Sequence, residues 1–307
     1  MASESATTES GARANATPPI GRLVDVGGRH LLVHTSGQGG PAVVLLPGAG
    51  TVGLDYLNIH DRASALTTSV LYDRAGTGWS DAAPLPRTAA DVTTELRALL
   101  RAAEVPPPYL LVGHSLGGAF ARHFAQRFPG EVAALLLLDP AHEDGPAHYP
   151  TEVLDMQEQF SSQPMPDFPP EFIALWKDVF GAKLATWPAS VREPLIDYHV
   201  REWRRGMEEA KDVEKGVYLE LRDGGAMPDV PLIVLTAMGT ETAPTQFLSV
   251  ELQRAVNDGK RIVNRALAAS VPRGEERALS DAVHVWMHVE REDAVVQAIA
   301  DLLALVG

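Results

Sequence analysis

Cysteine is absent from all 307 residues. Disulfides, thiolate nucleophiles and cysteine-ligated zinc or iron–sulfur centres are therefore excluded. The absence suits a reducing compartment, and a cytoplasmic location is the expectation. No apolar run approaches the ~20 residues that a membrane helix needs, so no membrane span is expected. Cations are also scarce: 26 Lys and Arg stand against 40 Asp and Glu, a net charge of −14. Nucleic acid is not an expected partner, because its binding draws on phosphate neutralisation by Lys and Arg. Residues 1–19 lack the basic start and apolar middle of a secretion signal. They are rich in Ala, Ser and Thr and read as a disordered tail.

Hydrophobic residues make up 45% of the chain, enough for a large core in one big domain or in one domain with an insert. Short apolar runs recur with helical patterns between them: Pro41 to Leu46 (PAVVLL), Thr68 to Tyr72, Tyr109 to Val112, Ala133 to Leu138 (AALLLL) and Pro231 to Thr236 (PLIVLT). Continuous apolar runs of this length fit strands buried on both faces, and their alternation with helices predicts right-handed crossovers and a mostly parallel sheet. Gly21 to Val26 and His30 to Thr35 read as a hairpin around Gly27-Gly28, and Arg277 to Leu279 as a weaker strand. Helices are expected at Ala89 to Ala103, Leu116 to Phe128 and Thr245 to Asn257, with an amphipathic one near Ala294 to Leu303.

Between His142 and Pro228 the pattern changes. Glu152 to Phe160, Pro170 to Phe180, Pro188 to Arg205 and Met207 to Leu221 all read as helices, with no strand among them. The expected organisation is an α/β core over 20–141 and 229–307, with a helical cap inserted over 142–228. The insert holds Phe160, Phe168, Phe172, Trp176, Phe180, Trp187, Tyr198, Trp203 and Tyr218. Any one of these more simply packs cap against core; together they predict an apolar roof over a pocket.

The chemistry concentrates at Gly113-His114-Ser115-Leu116-Gly117. This G-x-S-x-G follows a strand pattern and opens a helix, the context in which a serine on a strained corner presents its hydroxyl. The Leu116 amide then lies at a helix N-terminus, which favours developing negative charge. Pro47-Gly48-Ala49-Gly50 follows an earlier buried strand, and glycines there let the backbone turn amides toward a ligand. The amides of Ala49 and Leu116 are the expected oxyanion hole; an ordinary glycine turn is the plainer reading of the first. Gly48 and His114 are expected beside the pocket.

Read together, LLPGAG, LYDRAGTGWSD, GHSLGG and SDAVHVWMHVERED resemble, in order, the motifs of the α/β-hydrolase superfamily in its capped, serine esterase- and lipase-like branch. The first is similar to the oxyanion loop His-Gly-x-Gly, with Pro47 in place of the histidine. The second is similar to Asp-x-x-Gly-x-Gly-x-Ser, the third to the nucleophile elbow and the last to the closing histidine segment. There Val283 stands where a glycine usually precedes the histidine. The resemblance implies an α/β-hydrolase fold, a cofactor-independent hydrolase and a small-molecule ester substrate. It makes His284, not His288, the base for Ser115. For the triad acid it offers two places. One is Asp139 in Leu138-Asp139-Pro140-Ala141, as in some lipases. The other is the loop after PLIVLT, where Glu241 is the acid present. Asp139 is favoured, because a short carboxylate at a strand end is rigidly held. A structural aspartate is its plainer reading.

His284 and His288 also make H-x-x-x-H, a zinc spacing, but Val285 occupies the place of the metalloprotease glutamate. No metal is expected. Beyond ester hydrolysis, cleavage of lactones, amides or C–C bonds stays open, as does a non-catalytic small-ligand binder or receptor on the same fold.

Overall fold

In the computed structural model, residues 17–163, 167–211, 213–241 and 248–307 are described. The tail expected over 1–19 falls outside them as far as residue 16, as does the start of the helix expected from Thr245.

Among the described residues, eight strands form one sheet: β1 (Arg22–Asp25), β2 (His30–Ser36), β3 (Ala42–Leu46), β4 (Ser69–Tyr72), β5 (Tyr109–His114), β6 (Val132–Leu138), β7 (Leu232–Ala237) and β8 (Gly274–Leu279). Their order is β1-β2-β4-β3-β5-β6-β7-β8. The first two pairings are antiparallel and all the others parallel. Central strands β3 to β7 are almost wholly buried, which is why they read as unbroken Val, Leu and Ile runs. β8 is only half-buried, and its sequence GEERAL carries correspondingly little apolar signal.

The helices are α1 (Leu57–Ala63), α2 (Ala89–Ala102), α3 (Leu116–Arg127), α4 (Thr151–Ser162), α5 (Pro170–Lys183), α6 (Ala189–Glu209), α7 (Val217–Asp223), α8 (Val250–Ala269), α9 (Met287–Glu290) and α10 (Glu292–Val306). Two apolar layers sandwich the sheet. Leu96, Leu99, Phe120 and Phe124 pack on one face, and Ile59, Val295, Ile299 and Leu302 on the other.

Helices α4 to α7 lie between β6 and β7 in the chain, where the insert was expected. The helix expected over Met207 to Leu221 is not there. α6 runs through Gly206 to Glu209, a 3-10 turn covers Val213–Lys215, and α7 begins after Gly216. α8 likewise passes through Gly259 and ends at Ala269, well past Asn257. Both internal glycines serve close approach rather than termination. A Cβ on Gly206 would lie 2.8 Å from the Gly50 Cα, and one on Gly259 would lie 2.4 Å from the His148 carbonyl oxygen. The 3-10 turn at Gly53–Tyr56 and α1 left no clear periodic signal in the sequence.

A close backbone contact also holds the serine corner. A Cβ on Gly117 would sit 2.1 Å from the Leu46 carbonyl oxygen. Leu46 is backbone at the end of a fully buried strand and has nowhere to go. Gly117→Ala is therefore expected to lower stability by about 1–3 kcal/mol or more, the usual cost of overpacking. Urea denaturation reads this, and an unchanged midpoint would contradict the close approach of α3 to β3.

Candidate active site

The carboxyl ends of β3, β5 and β6 bring Ala49, Ser115 and Asp139 to one edge of the sheet. Ser115 has φ 51° and ψ −120°, outside the usual regions for a residue with a Cβ. The corner is held by its neighbours: the Ser115 amide donates to the Leu138 carbonyl at 3.0 Å, and its own carbonyl accepts from Gly118 and Ala141 at 2.9 Å each. Asp139, at φ 41°, is strained in the same sense and is pinned by its amide to the Leu235 carbonyl at 2.7 Å.

Three side chains form a continuous bonded line. The His284 Nδ1 donates to Asp139 Oδ2 at 2.6 Å. That leaves Nε2 as the acceptor, and it lies 3.0 Å from the Ser115 hydroxyl. Asp139 Oδ1 accepts the Ala237 amide at 3.2 Å, and Lys260 Nζ donates to Oδ2 at 2.5 Å. Burial by itself pushes the Asp139 carboxyl up. The Lys260 ammonium and His284 outweigh it and hold the group well below the usual carboxylate range. The His284 side chain is 41% exposed, so water reaches the ring.

Glu241, the other acid considered, is situated differently. Its amide donates to Gln253 Oε1 at 2.8 Å and its carbonyl accepts from Gln253 Nε2 at 2.8 Å, which ties the loop after β7 to α8. The place on His284 Nδ1 is taken by Asp139.

The turn carrying His284 is fixed from two sides. Gly239 donates to the Ala282 carbonyl at 2.8 Å. His114 Nε2 donates to the His284 carbonyl at 2.9 Å. Since a carbonyl only accepts, His114 Nδ1 is the acceptor for the Tyr56 hydroxyl at 2.7 Å, and that hydroxyl in turn accepts the Gly48 amide at 3.2 Å. One buried relay thus links the loop after β3 to the histidine turn. Gly48 and His114, expected beside the pocket, are joined through this relay. Both are buried, and a Cβ on Gly48 would lie 3.3 Å from the Ser115 Cβ. Burial, and then the charge of His284, pushes His114 down to about 3, so the ring is neutral. His288 packs against the Tyr56 ring at 4.5 Å and is also held well below its ordinary value, first by burial. His284 lies in a turn ahead of α9, so the two histidines do not share a helix face as a zinc pair would.

The loop after β3 has a second buttress. Arg74 donates to the carbonyls of Pro47 at 2.5 Å and Gly48 at 2.8 Å, and pairs with Glu209 at the end of α6 at 2.8 Å. Glu209 also takes the Gly50 amide at 3.0 Å. Arg74 follows Asp73, whose buried carboxylate accepts the amides of Gly53 and Trp79 at 2.8 and 2.9 Å. The DRAGTGWSD segment therefore acts as scaffold. Among the described residues, the amides of Ala49 and Leu116 donate to no protein acceptor.

A cavity of about 210 Å³ opens beside α3, with Leu116, Phe120, Val213, Val217, Arg87 and Glu209 in its wall. Ser115 and His284 are not part of that wall; Leu116 joins the two regions. The aromatic roof takes another form. Phe168, Phe172, Trp176 and Trp203 pack on one another in tilted and edge-on pairs, with the Phe168 and Trp203 rings 4.4 Å apart, and the Phe180 ring lies 4.4 Å from His199 and 5.2 Å from Trp286. Lys260, Tyr56, Arg74 and Glu209 were not singled out by sequence reasoning. Only Lys260 had a readable signal: with Asn257, Asn264 and Leu267 it falls on the buried face of α8.

Among the described residues no helix is long and apolar enough to cross a membrane. The family model described as "Alpha/beta hydrolase family" matches residues 43–298. The pimeloyl-[acyl-carrier protein] methyl ester esterase of Chromobacterium violaceum is 39% identical over 109 residues, 36% of this chain and 40% of that protein. The matched stretch spans less than half the length of the curated relatives, 37% to 44% in three of them. Among solved structures, an enol-lactonase from Burkholderia xenovorans LB400 superposes with a TM-score of 0.61 at 20% identity, over 92% of this chain and 100% of that one. A thermophilic esterase from Thermogutta terrifontis gives 0.60 at 17% identity, over 93% and 98%. At such identities the likeness is one of fold.

Tyr56→Phe removes the one donor to His114 Nδ1 in the relay. The expected cost is about 1–3 kcal/mol, that of a buried acceptor left without a partner. Denaturation of the variant by urea measures it, and wild-type stability would mean that the relay carries no load.

Proposed function

The chain belongs to the alpha/beta hydrolase family, and from that premise we propose that it is a serine hydrolase that cleaves carboxylic esters through an acyl-enzyme on Ser115. The observation that carries the reading is the unbroken line from Asp139 Oδ2 through His284 to the Ser115 hydroxyl, at 2.6 and 3.0 Å. A serine hydroxyl is a poor nucleophile at neutral pH and needs a base, and the base needs an orienter.

In this mechanism the Ser115 hydroxyl attacks the ester carbonyl while His284 Nε2 takes its proton. Asp139 stabilises the resulting imidazolium. The Ala49 and Leu116 amides bind the oxygen that becomes negative, at the dipole-favoured start of α3. His284 then protonates the leaving alcohol, and afterwards draws a proton from water, which attacks the acyl-enzyme and releases the acid. The exposed edge of His284 gives that water its route.

Helices α4 to α7 serve as the cap in this reading, supported by the bonds from Glu209 to the loop after β3 and from Trp187 Nε1 to the Leu54 carbonyl at 2.8 Å. The cavity beside Leu116 takes an apolar acyl or aryl group, supported by its Phe120, Val213 and Val217 wall. The name of the Chromobacterium relative, a methyl ester esterase, agrees with an ester substrate.

Hydrolysis of nitrophenyl esters of varied acyl length tests the proposal. Asp139→Asn is expected to lower kcat by on the order of 10⁴ and Ser115→Ala by on the order of 10⁶. Glu241→Gln is expected to keep wild-type turnover. Persistent turnover in Ser115→Ala would sink the mechanism, and collapse in Glu241→Gln would move the acid to the loop after β7.

A further inference from the structure

Lys260 stands out because its side chain is 11% exposed and its ammonium rests on a carboxylate that already has a partner. It donates to Oδ2 of Asp139, the same oxygen that receives the His284 Nδ1 proton. The other oxygen, Oδ1, takes the Ala237 amide. The carboxylate is thus oriented by β7 and by His284 without help from α8, and what Lys260 adds is charge.

Building on the serine-hydrolase reading above, we propose that Lys260 is a positioning residue for the base, whose ammonium shares the Asp139 carboxylate with His284 and thereby sets the pH range over which His284 serves Ser115. The reasoning is electrostatic. An imidazolium gains stability from the full negative charge of its carboxylate partner. When an ammonium sits on the same oxygen, the pair presents little net charge to the ring. The protonated ring then gains less from its partner, and the imidazole keeps a free Nε2 at lower pH.

The neighbouring groups do not offset this. His114 on β5 and His288 on α9 face the same pair, and burial keeps both neutral, His114 being pushed down to about 3. Tyr149, ahead of α4, faces Asp139 and is pushed up to about 12 by burial, so it too is uncharged. Among the described residues, Lys260 Nζ and His284 Nδ1 are the side-chain donors to Asp139.

The ammonium is held in place by the helix that carries it. α8 packs Asn257, Val263, Asn264 and Leu267 inward, and Asn257 Nδ2 donates to the Gly239 carbonyl at 2.9 Å, which anchors the same loop that braces the His284 turn. Gly259 allows this close seating. Lys260 therefore extends from a fixed backbone.

The test is the second-order rate of Ser115 labelling by a fluorophosphonate as a function of pH, in wild type, Lys260→Met, Lys260→Gln and Lys260→Arg, with urea midpoints alongside. Lys260→Met and Lys260→Gln remove the charge, the second keeping a donor for Oδ2. Both are expected to move the acid limb of the profile up by about one pH unit, the scale of a unit charge about 5 Å away in a partly solvated site. Lys260→Arg is expected to keep the wild-type limb. Acid limbs that superimpose in wild type and in whichever neutral variant folds would overturn the inference, whatever happens to stability. So would an Arg limb displaced as far as the neutral ones. Folded wild type that takes no label at any pH removes the serine reading itself, and this inference with it.

Discussion

A carboxylate buried at the end of a central strand has to be compensated, and most of the site follows from how Asp139 is satisfied. An isolated charge in that position would be heavily penalised. Here β7 supplies an amide, α8 an ammonium and the turn before α9 an imidazole. These elements are far apart in sequence, and each is drawn to the same two oxygens. Once Asp139 is fixed, the His284 ring has one orientation in which Nδ1 is satisfied, and in that orientation Nε2 meets Ser115. The positive φ of both Ser115 and Asp139 is the backbone strain that this convergence has to overcome.

The opposite wall of the site obeys a similar rule. In the loop after β3 the Ala49 amide meets no acceptor among the described residues, while the polar groups around it are bound. Arg74 takes the Pro47 and Gly48 carbonyls, Glu209 the Gly50 amide and Tyr56 the Gly48 amide. A buried ion pair such as Arg74–Glu209 adds little net stability, because desolvation offsets most of its attraction. Its effect is geometric: it couples the loop to the end of α6, so the position of that helix and the shape of the loop are set together.

The parts legible in the sequence were those governed by local pattern. Strands buried on both faces announce themselves as apolar runs, and the serine corner by its glycines, because Gly117 has room for nothing else. The resemblance to the α/β-hydrolase motifs pointed to His284, and to Asp139 ahead of Glu241 as its acid. What stayed hidden was tertiary. Gly206 and Gly259 look like helix ends in one dimension and are points of close crossing in three. The aromatics of the insert look like a pocket roof, yet Phe168, Phe172, Trp176 and Trp203 satisfy one another. β8 was faint because a half-buried edge strand needs few apolar residues.

Histidines illustrate the same limit from the side of charge. Residue type alone does not distinguish His114, His284 and His288; the resemblance of the closing segment pointed to His284. In the fold, His114 has both ring nitrogens committed to the relay and His288 is sealed against Tyr56, so burial removes both from acid–base chemistry near neutral pH. His284 alone of the three has one nitrogen oriented by a carboxylate, the other at a hydroxyl, and an edge in water. What sets His284 apart is the kind of partner on each ring nitrogen together with access to water, and both are fixed by which strand end or turn carries the residue.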